Sequence, residues 1–152
     1  ASLGPTLRTL ILKKYCHIGF AVDTDAGLVV PVIRDVDEKG IVDLAEEVIE
    51  LSQLARGRKL RPEHMAGGCF TVSSLGAIGG TGFTPIVNAP ELAIMGIARM
   101  GTQPLWDGQQ FVPRKMLPVS LSYDHRAING AEAGRFVRRF GQILTEPESL
   151  LR

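Results

Sequence analysis

Three histidines, at positions 17, 64 and 125, give the chain its clearest means of moving a proton near neutral pH. His125 occupies a corner where a predicted strand ends and a predicted helix begins, and side chains at such corners often face clefts. From its position alone, catalysis and a solvated role are equally open for His125. We expect His17 to occupy an exposed strand position, and His64 to be solvated beside a short helix that Pro62 opens.

Two serines and an asparagine carry further candidate chemistry. Ser73 and Ser74 end a predicted buried strand, where turn hydrogen bonding is favoured over catalysis. A serine hydrolase is a weak alternative, because the segment 72–76 lacks the first glycine of a nucleophile elbow. Asn129 and Glu132 have the spacing of a capping box, which predicts that Asn129 caps the last helix. The cap leaves room for a second role of Asn129 in a site.

Metal and nucleotide sites find little support in the sequence. The histidines, cysteines and carboxylates lack the spacing that is typical of a zinc site. The turn that begins at Asp23 opens like a calcium loop, but Leu28 and Arg34 stand where that loop requires glycine and glutamate. The glycines of segment 76–82 match neither a dinucleotide fingerprint nor a phosphate loop. We expect no metal, and we expect this segment to form a tight, closely packed turn.

The composition predicts one globular domain. The chain has 152 residues, of which 45% are hydrophobic and 22% are charged, enough for a real core. Its net charge of +1 argues against nucleic acid as a partner. The apolar runs are shorter than the roughly 20 residues of a spanning helix, so we expect no membrane contact. Cys16 and Cys69 are expected as buried thiols in a reducing compartment, with one disulfide as the less favoured alternative.

Hydrophobic periodicity predicts that strands and helices alternate along the chain. An amphipathic helix is expected from 41 to about 55, and a second helix from about 130. A hairpin is expected at 16–33, and another around the pair Asp107-Gly108, with strands at 103–106 and 109–112. The other predicted elements are strands at 69–74, 91–98 and 117–122 and a capped last turn at 145–148. Together they predict an α/β sandwich with mainly antiparallel strands under helices.

The segment 123–130, Tyr-Asp-His-Arg-Ala-Ile-Asn-Gly, resembles the D-H-R-x-x-[DN]-G signature of the dihydrolipoamide acyltransferases of 2-oxoacid dehydrogenase complexes. Segments 13–24, 27–32, 68–76 and 83–91 resemble the catalytic domain of the same family, in family order. The form Asn-Ala-Pro-Glu at 88–91, with asparagine at 129, is most similar to the acetyltransferase members found in bacterial pyruvate dehydrogenase. Succinyl and branched-chain members are the next candidates.

The resemblance implies a fold like that of the chloramphenicol acetyltransferases, a two-layer α/β sandwich with a mixed, mainly antiparallel sheet and helices on one side. It implies transfer of an acyl group, foremost acetyl, between dihydrolipoamide and coenzyme A without a metal. By motif position, His125 would be the general base that takes the thiol proton. Ser73 would donate its hydroxyl to the oxyanion, and Asn129 would order the loop that presents His125. The residues that bind coenzyme A stay unassigned.

The resemblance also implies an assembly, with further copies of the chain as partners. Relatives form trimers in which different subunits supply the histidine and the serine, and these trimers build hollow cubic or dodecahedral cores. A monomer would then be inert. The expected further partners are a 2-oxoacid decarboxylase and dihydrolipoamide dehydrogenase, and the expected location is the cytoplasm.

We expect residues 1–152 to be the C-terminal part of one acyltransferase catalytic domain. The first part of that domain in relatives helps to bind coenzyme A, and what is similar here begins inside the domain. The lipoyl domain, which carries the lipoyl group, and the subunit-binding domain lie upstream in relatives. The decarboxylase and dehydrogenase partners would be reached through those absent domains.

Two other functions stay open on the sequence. The chain could be a noncatalytic core module that keeps the fold as an assembly platform. It could also transfer an acyl group to a small hydroxylated molecule, as the chloramphenicol acetyltransferases do. The first alternative predicts that the intact protein shows no thioester exchange even with its missing segment restored, and the second predicts an alcohol as the acceptor.

Overall fold

The computed structural model describes residues 1–146, which form two α-helices and eleven short strands. The helices α1 (Ile41–Arg56) and α2 (Gly130–Thr145) begin where the periodicity predicts. The strands are β1 (Ser2–Leu3), β2 (Leu10–Ile11), β3 (Ile18–Phe20), β4 (Val22–Thr24), β5 (Gly27–Val29), β6 (Val32–Ile33), β7 (Phe70–Ser74), β8 (Ala93–Ile97), β9 (Gly101–Trp106), β10 (Phe111–Met116) and β11 (Val119–Tyr123). The capped turn predicted at 145–148 runs into residues outside the described range.

Five strands form the central sheet in the order β11-β8-β7-β3-β6. The inner pairs β7-β8 and β3-β7 are parallel, whereas the outer pairs β8-β11 and β3-β6 are antiparallel. Antiparallel pairing also joins β1 to β2, β4 to β5 and β9 to β10, so the predicted mixed and mainly antiparallel α/β architecture is confirmed. The core lies along β8, where Ala93, Ile94 and Met95 are buried.

The two helices contact different strands. α2 contacts β11, and its Phe136 ring lies 5.9 Å from the ring of Phe70 on β7. α1 contacts β4 and β6 and buries Leu51 and Ala55. Within residues 1–146, neither helix is long and apolar enough to cross a membrane.

The hairpin predicted at 16–33 is confirmed. Its register runs without a shift from Ile18 opposite Ile33 to Thr24 opposite Gly27, so β3 to β6 form one ribbon. The ribbon joins the sheet through β3, which pairs with β7 on its other side.

The second hairpin is also confirmed, with a correction to its turn. The Asp107 N–H donates to the Gln110 carbonyl at 3.1 Å, so the turn residues are Gly108 and Gln109 rather than Asp107 and Gly108. The Asp107 carboxylate accepts the N–H groups of Gln110 and Gln109 at 2.9 and 2.8 Å, and these bonds lower its pKa. This side-chain pairing with the turn backbone favours the shifted turn.

His17 corrects another expectation, because only 7% of its surface is exposed. It precedes β3, which lies between β6 and β7 inside the sheet. The imidazole stacks on Tyr15 with ring centroids 4.1 Å apart, and its Nδ1 accepts the Asp35 N–H at 3.0 Å. Alternation predicts exposure only where one face of the strand is solvated, and this condition is not met at His17. His64 is half-buried and lies in the short helix Pro62–Met65, which Pro62 predicts.

The glycine segment 76–82 is the third correction, since it is mostly exposed rather than closely packed. A Cβ added at Gly79, Gly80 or Gly82 would meet nothing within 4 Å. Gly79 and Gly80 have φ angles of 120° and 89°, which glycine adopts without strain. These glycines therefore serve the backbone conformation of the turn.

Cys16 and Cys69 are free thiols, as predicted, but they are half-buried rather than fully buried. Burial raises the pKa of the Cys16 thiol. The Cys69 Sγ accepts the His17 N–H at 3.3 Å. Among residues 1–146, His, Cys, Asp and Glu side chains nowhere gather in threes as metal ligands would.

Candidate active site

His125 lies in the loop that connects β11 to α2, as the sequence predicts. Its side chain is exposed, and its ring centroid lies 5.7 Å from that of Tyr123, the last residue of β11. The Asp124 N–H donates to the Leu92 carbonyl at 2.8 Å and extends the pairing of β11 with β8 by one residue. The imidazole therefore stands just beyond the end of a sheet strand, where a second molecule can reach it.

An ion pair closes the loop around His125. Arg126 donates to the Asp124 carboxylate from Nε at 2.9 and 3.1 Å and from Nη2 at 2.6 Å. These side-chain bonds, with a further bond from the Arg126 N–H, lower the pKa of Asp124 to about 2. The carboxylate is therefore ionised throughout the neutral range.

Asn129 caps α2, as its spacing from Glu132 predicts. The Asn129 side-chain oxygen accepts the Glu132 N–H at 3.0 Å, and the Glu132 carboxylate accepts the Asn129 N–H at 3.2 Å. Both halves of a capping box are thus present. The cap fixes the loop of His125 on its C-terminal side.

Ser73 lies near the C-terminal end of β7 and lines a cavity of about 410 Å³. Thr71 on the same strand and Ile94 on β8 share this face of the sheet, because alternate residues of a strand point to the same side. Phe70 and Ala93 point the other way, into a second cavity of about 370 Å³ beneath α2. The hairpin β3 to β6 and the segment 83–88 supply the remaining, mostly apolar walls around Ser73.

The segment 83–88 is held over the sheet by a hydrogen bond to Ser120 and by the close approach of Phe83 to Gly96. The Ser120 hydroxyl of β11 donates to the Phe83 carbonyl at 2.6 Å. Gly96 of β8 lies between Ser73 and Ser120 in one row across the strands. A Cβ at this position would come within 2.6 Å of the Ser120 Oγ and 2.9 Å of the Phe83 ring. Glycine is thus required for this close approach.

Glu91 is a buried carboxyl group that the sequence reading missed. Only 6% of its surface is exposed, and the Thr71 hydroxyl donates to its Oε2 at 2.6 Å. Burial raises the pKa of Glu91, although the Thr71 hydrogen bond opposes the shift. Thr71 also lines the cavity of Ser73, so Glu91 supports one wall of that cavity. The available signal was a charged residue at the start of an otherwise apolar segment, 91–98.

The structure brings His125 and Asn129 into one loop but does not bring Ser73 to them. Ser73 shares a row with Ser120, whereas His125 follows Tyr123 at the other end of β11. The two rows are three positions apart on β11, which is about 10 Å along the strands. The two strand spacings from β7 to β11 add about 10 Å across the sheet. Ser73 and His125 of one chain therefore cannot touch the same small group.

Residues 1–152 match the family of 2-oxoacid dehydrogenases acyltransferase (catalytic domain). The chain belongs to this acyltransferase family. Its fold agrees with a crystallographic structure of Azotobacter vinelandii dihydrolipoamide acetyltransferase, with 58% identity, a TM-score of 0.96 and coverage of 99% of this chain and 62% of that chain.

Two further relatives extend the comparison of this family member. The dihydrolipoyllysine-residue acetyltransferase component of the pyruvate dehydrogenase complex of Pseudomonas aeruginosa is 60% identical over 151 residues, 99% of this chain and 28% of the relative. The cubic core of a pyruvate dehydrogenase multienzyme complex is 59% identical, with a TM-score of 0.96 and coverage of 99% of this chain and 62% of that one. The acyltransferase chain thus spans less than two thirds of the relatives it matches.

Proposed function

We propose that this chain transfers an acetyl group between dihydrolipoamide and coenzyme A, with His125 as the general base. The observation that carries the proposal is the exposed imidazole on a loop fixed from both sides, beyond the end of a sheet strand. The study of the Azotobacter vinelandii enzyme concerned the catalytic roles of a serine, a histidine and an asparagine, which are separated there by 52 and 4 residues. Ser73, His125 and Asn129 are separated by the same 52 and 4 residues, which supports the assignment.

The difficulty of this reaction is kinetic. Exchange of an acyl group between two thiols is nearly isoenergetic, but a thiol with a pKa of about 8.5 is mostly protonated at neutral pH. Only the thiolate is a good nucleophile. A base that removes the proton as the sulfur attacks accelerates such a step by about 10² to 10⁴.

In the proposed step, the His125 imidazole accepts the proton of the acceptor thiol while its sulfur bonds to the thioester carbonyl carbon. The carbonyl oxygen becomes an oxyanion in a tetrahedral intermediate. When the intermediate collapses, the bond from carbon to the donor sulfur breaks, and the leaving thiolate takes the proton back from the imidazolium. The two thiols have then exchanged the acyl group, and His125 is neutral again.

Ser73 is the proposed hydrogen-bond donor to the oxyanion. Its hydroxyl lines a mostly apolar cavity, where a hydrogen bond to a developing charge is stronger than in water. Removal of one such donor typically costs about 2.7 to 4 kcal/mol of transition-state stabilisation. Asn129 has a geometric role in the proposal, because its side-chain oxygen is engaged in the cap of α2.

The proposed site forms between two copies of the chain. His125 and Ser73 lie at opposite ends of the sheet in one copy, so His125 of one copy must meet Ser73 of a neighbour. A closed ring of such heterologous contacts gives every copy one complete site, and we propose the trimer as that ring. The match to the cubic core of a pyruvate dehydrogenase complex supports a larger assembly of these trimers.

The substrates and partners of the whole protein follow from the same proposal. Coenzyme A and the lipoyl group act as substrates, and a 2-oxoacid decarboxylase and dihydrolipoamide dehydrogenase act as further partners. The matched relatives are components of pyruvate dehydrogenase complexes, which supports acetyl as the acyl group. Two free thiols support a reducing compartment, and we place the protein in the cytoplasm.

The test is transfer from acetyl-coenzyme A to dihydrolipoamide, measured with the full-length protein in its assembled form. We expect the substitution His125→Ala to lower kcat by about 10² to 10⁴, the range for loss of a general base. His64→Ala is the matched control, and it should leave kcat unchanged. The helix Pro62–Met65 that contains His64 contacts β6, at the opposite edge of the sheet from β11 and His125.

Three results would overturn the proposal. If the assembled parent transfers no acetyl group, a noncatalytic core module is the better explanation. If the His125→Ala variant transfers acetyl as fast as the parent, this imidazole is not the base. If the parent acetylates a small alcohol but not dihydrolipoamide, the protein is an acyltransferase with a different acceptor.

A further inference from the structure

The orientation of the His125 ring depends on its backbone. Within residues 1–146, no described group makes a hydrogen bond to the imidazole, and its neighbour is the tilted Tyr123 ring at 5.7 Å. A general base must hold its nitrogen close to the thiol proton, within about 3 Å in the reacting complex. The loop backbone must therefore aim the ring, and whatever fixes this backbone influences the chemistry.

Asp124 anchors the backbone on the N-terminal side of His125. Its N–H donates to the Leu92 carbonyl at 2.8 Å, which ties the start of the loop to β8. Its carbonyl accepts the N–H groups of Ala127 and Ile128, both at 3.0 Å, which folds the chain back after His125. One residue thus joins the loop to the rigid sheet and sets its turn.

The side chains of Asp124 and Arg126 close the same turn from the outside. The guanidinium makes three bonds to the carboxylate, between 2.6 and 3.1 Å, in the two-pronged geometry that arginine alone provides. The Arg126 N–H donates to the same carboxylate at 3.0 Å. We call this ion pair the Asp124–Arg126 clamp. Because the two residues flank His125 in sequence, the clamp fixes the backbone on both sides of the imidazole.

We infer that the Asp124–Arg126 clamp is a positioning device for His125, which aims the imidazole into the site between copies. The inference rests on the proposed function, in which His125 is the base. Neither Asp124 nor Arg126 transfers a proton in it. Their contribution is the geometry of the loop, together with the Asn129 cap on its far side.

The exposure of the clamp favours a role in positioning His125 over a role in folding stability. The Arg126 side chain is 62% exposed and that of Asp124 is 19% exposed, and an ion pair with one partner in solvent contributes little to the free energy of folding. The loop keeps its backbone bonds to β8 and its cap on α2 without the clamp. Loss of the clamp should therefore leave the fold intact but allow the imidazole to move away from its reactive position. A misplacement of about 1 Å can cost about 10²-fold in rate.

The experiment replaces each partner in the full-length assembled protein and measures both KM values, kcat and the unfolding midpoint. Asp124→Asn keeps the shape of the side chain but removes its charge, and Arg126→Gln removes the guanidinium. For both variants we expect kcat to fall by about 10²-fold with unchanged KM values and an unchanged midpoint. Arg126→Lys should recover part of the loss, because lysine keeps the charge but cannot make the two-pronged contact.

The matched control is the pair Arg61–Glu63. These residues are also two positions apart, both are exposed, and their Nε to Oε1 distance is 2.8 Å. The helix Pro62–Met65, which contains Glu63, contacts β6 at the opposite edge of the sheet from β11 and the His125 loop. Glu63→Gln should leave kcat, both KM values and the midpoint at the parent values.

The outcomes separate this inference from the proposed function. If His125→Ala abolishes transfer while Asp124→Asn and Arg126→Gln keep the parent kcat, the clamp does not position the base, and the function stands. If kcat falls only together with the unfolding midpoint, the pair is a structural element, and the inference is again wrong. If His125→Ala keeps full activity, both the function and the inference fail.

Discussion

Ser73 and His125 lie at opposite ends of one sheet, Ser73 in the wall of a cavity and His125 exposed on a loop. Ser73 shares its row with Gly96 and Ser120, whereas His125 follows the row of Tyr123 and Ala93. This separation is a property of the strand order and no side-chain movement can remove it. A site that uses both residues must therefore be built from two chains.

The first prediction is that two inactive variants complement each other. When full-length chains with His125→Ala and with Ser73→Ala are coexpressed, mixed trimers contain interfaces that join an intact His125 to an intact Ser73. With random mixing in a ring, about one interface in four is complete, so transfer should return to about a quarter of the parent value.

The control for complementation is the same pair of variants purified separately and mixed without subunit exchange. That mixture should show only the residual rates of the two variants. If the coexpressed assembly is as inactive as this mixture, the histidine and serine belong to the same chain or to different reactions.

The second prediction concerns Gly96, which gives the Phe83 segment room to lie on the sheet. In a Gly96→Ala variant, the new methyl group would meet the Ser120 Oγ and the Phe83 ring within 2.9 Å. We expect a loss of about 1–3 kcal/mol in the free energy of unfolding, as is usual for overpacking. Transfer should also slow, because the displaced segment 83–88 forms a wall of the Ser73 cavity.

Gly134→Ala is the matched control, since a Cβ there would meet nothing within 4 Å. Gly134 lies inside α2, where replacement of glycine by alanine stabilises a helix by about 0.5–1 kcal/mol. Chemical denaturation measures both effects. Equal stability of the two variants would contradict the close packing at Gly96.

The third prediction separates the cap of α2 from the chemistry next to it. Asn129→Ala removes the acceptor of the Glu132 N–H and should lower the free energy of unfolding by about 1 kcal/mol. Asn129→Asp keeps an acceptor oxygen, so its unfolding free energy should match that of the parent. If Asn129→Asp is as stable as the parent but its kcat falls as far as that of Asn129→Ala, the amide of Asn129 does more than cap α2.

Local patterns predicted the helices and the positions of both hairpins, although the turn of the second hairpin is shifted by one residue. The periodic apolar residues of α1 and the capping pair at the start of α2 are short-range signals, and both helices begin where these signals place them. The order of the strands is a long-range property, because β7 pairs with β3 and β8, which are distant from it in sequence. His17 was misplaced for this reason, since its burial depends on the neighbours that cover the ribbon.

The site was predictable only in its local half. The loop with His125 and Asn129 follows from one continuous motif, and the structure confirms that the two residues share that loop. The position of Ser73 relative to this loop depends on the strand order, so spacing along the chain could not give it. Glu91 was missed because a single charged residue before an apolar run gives no hint of its buried partner, Thr71.

The fourth prediction is a change in stability with pH that comes from Glu91. Burial raises the pKa of this carboxyl above its ordinary value of 4.5, so the native state keeps a proton that the unfolded state has already released. The contribution of this group to the stability of the parent is therefore complete below about pH 4.5 and is lost as the pH rises through the native pKa. Glu91→Gln cannot ionise, so this part of the decline should vanish.

The measurement that checks this prediction is the unfolding midpoint of parent and Glu91→Gln between pH 4 and pH 8. The midpoint of the variant minus that of the parent should become more positive as the pH rises, because only the parent loses stability through this group. Glu50→Gln replaces an exposed carboxylate on α1 and controls for the loss of one charge. A difference that is constant with pH, or that grows equally for Glu50→Gln, would contradict a raised pKa of the buried Glu91.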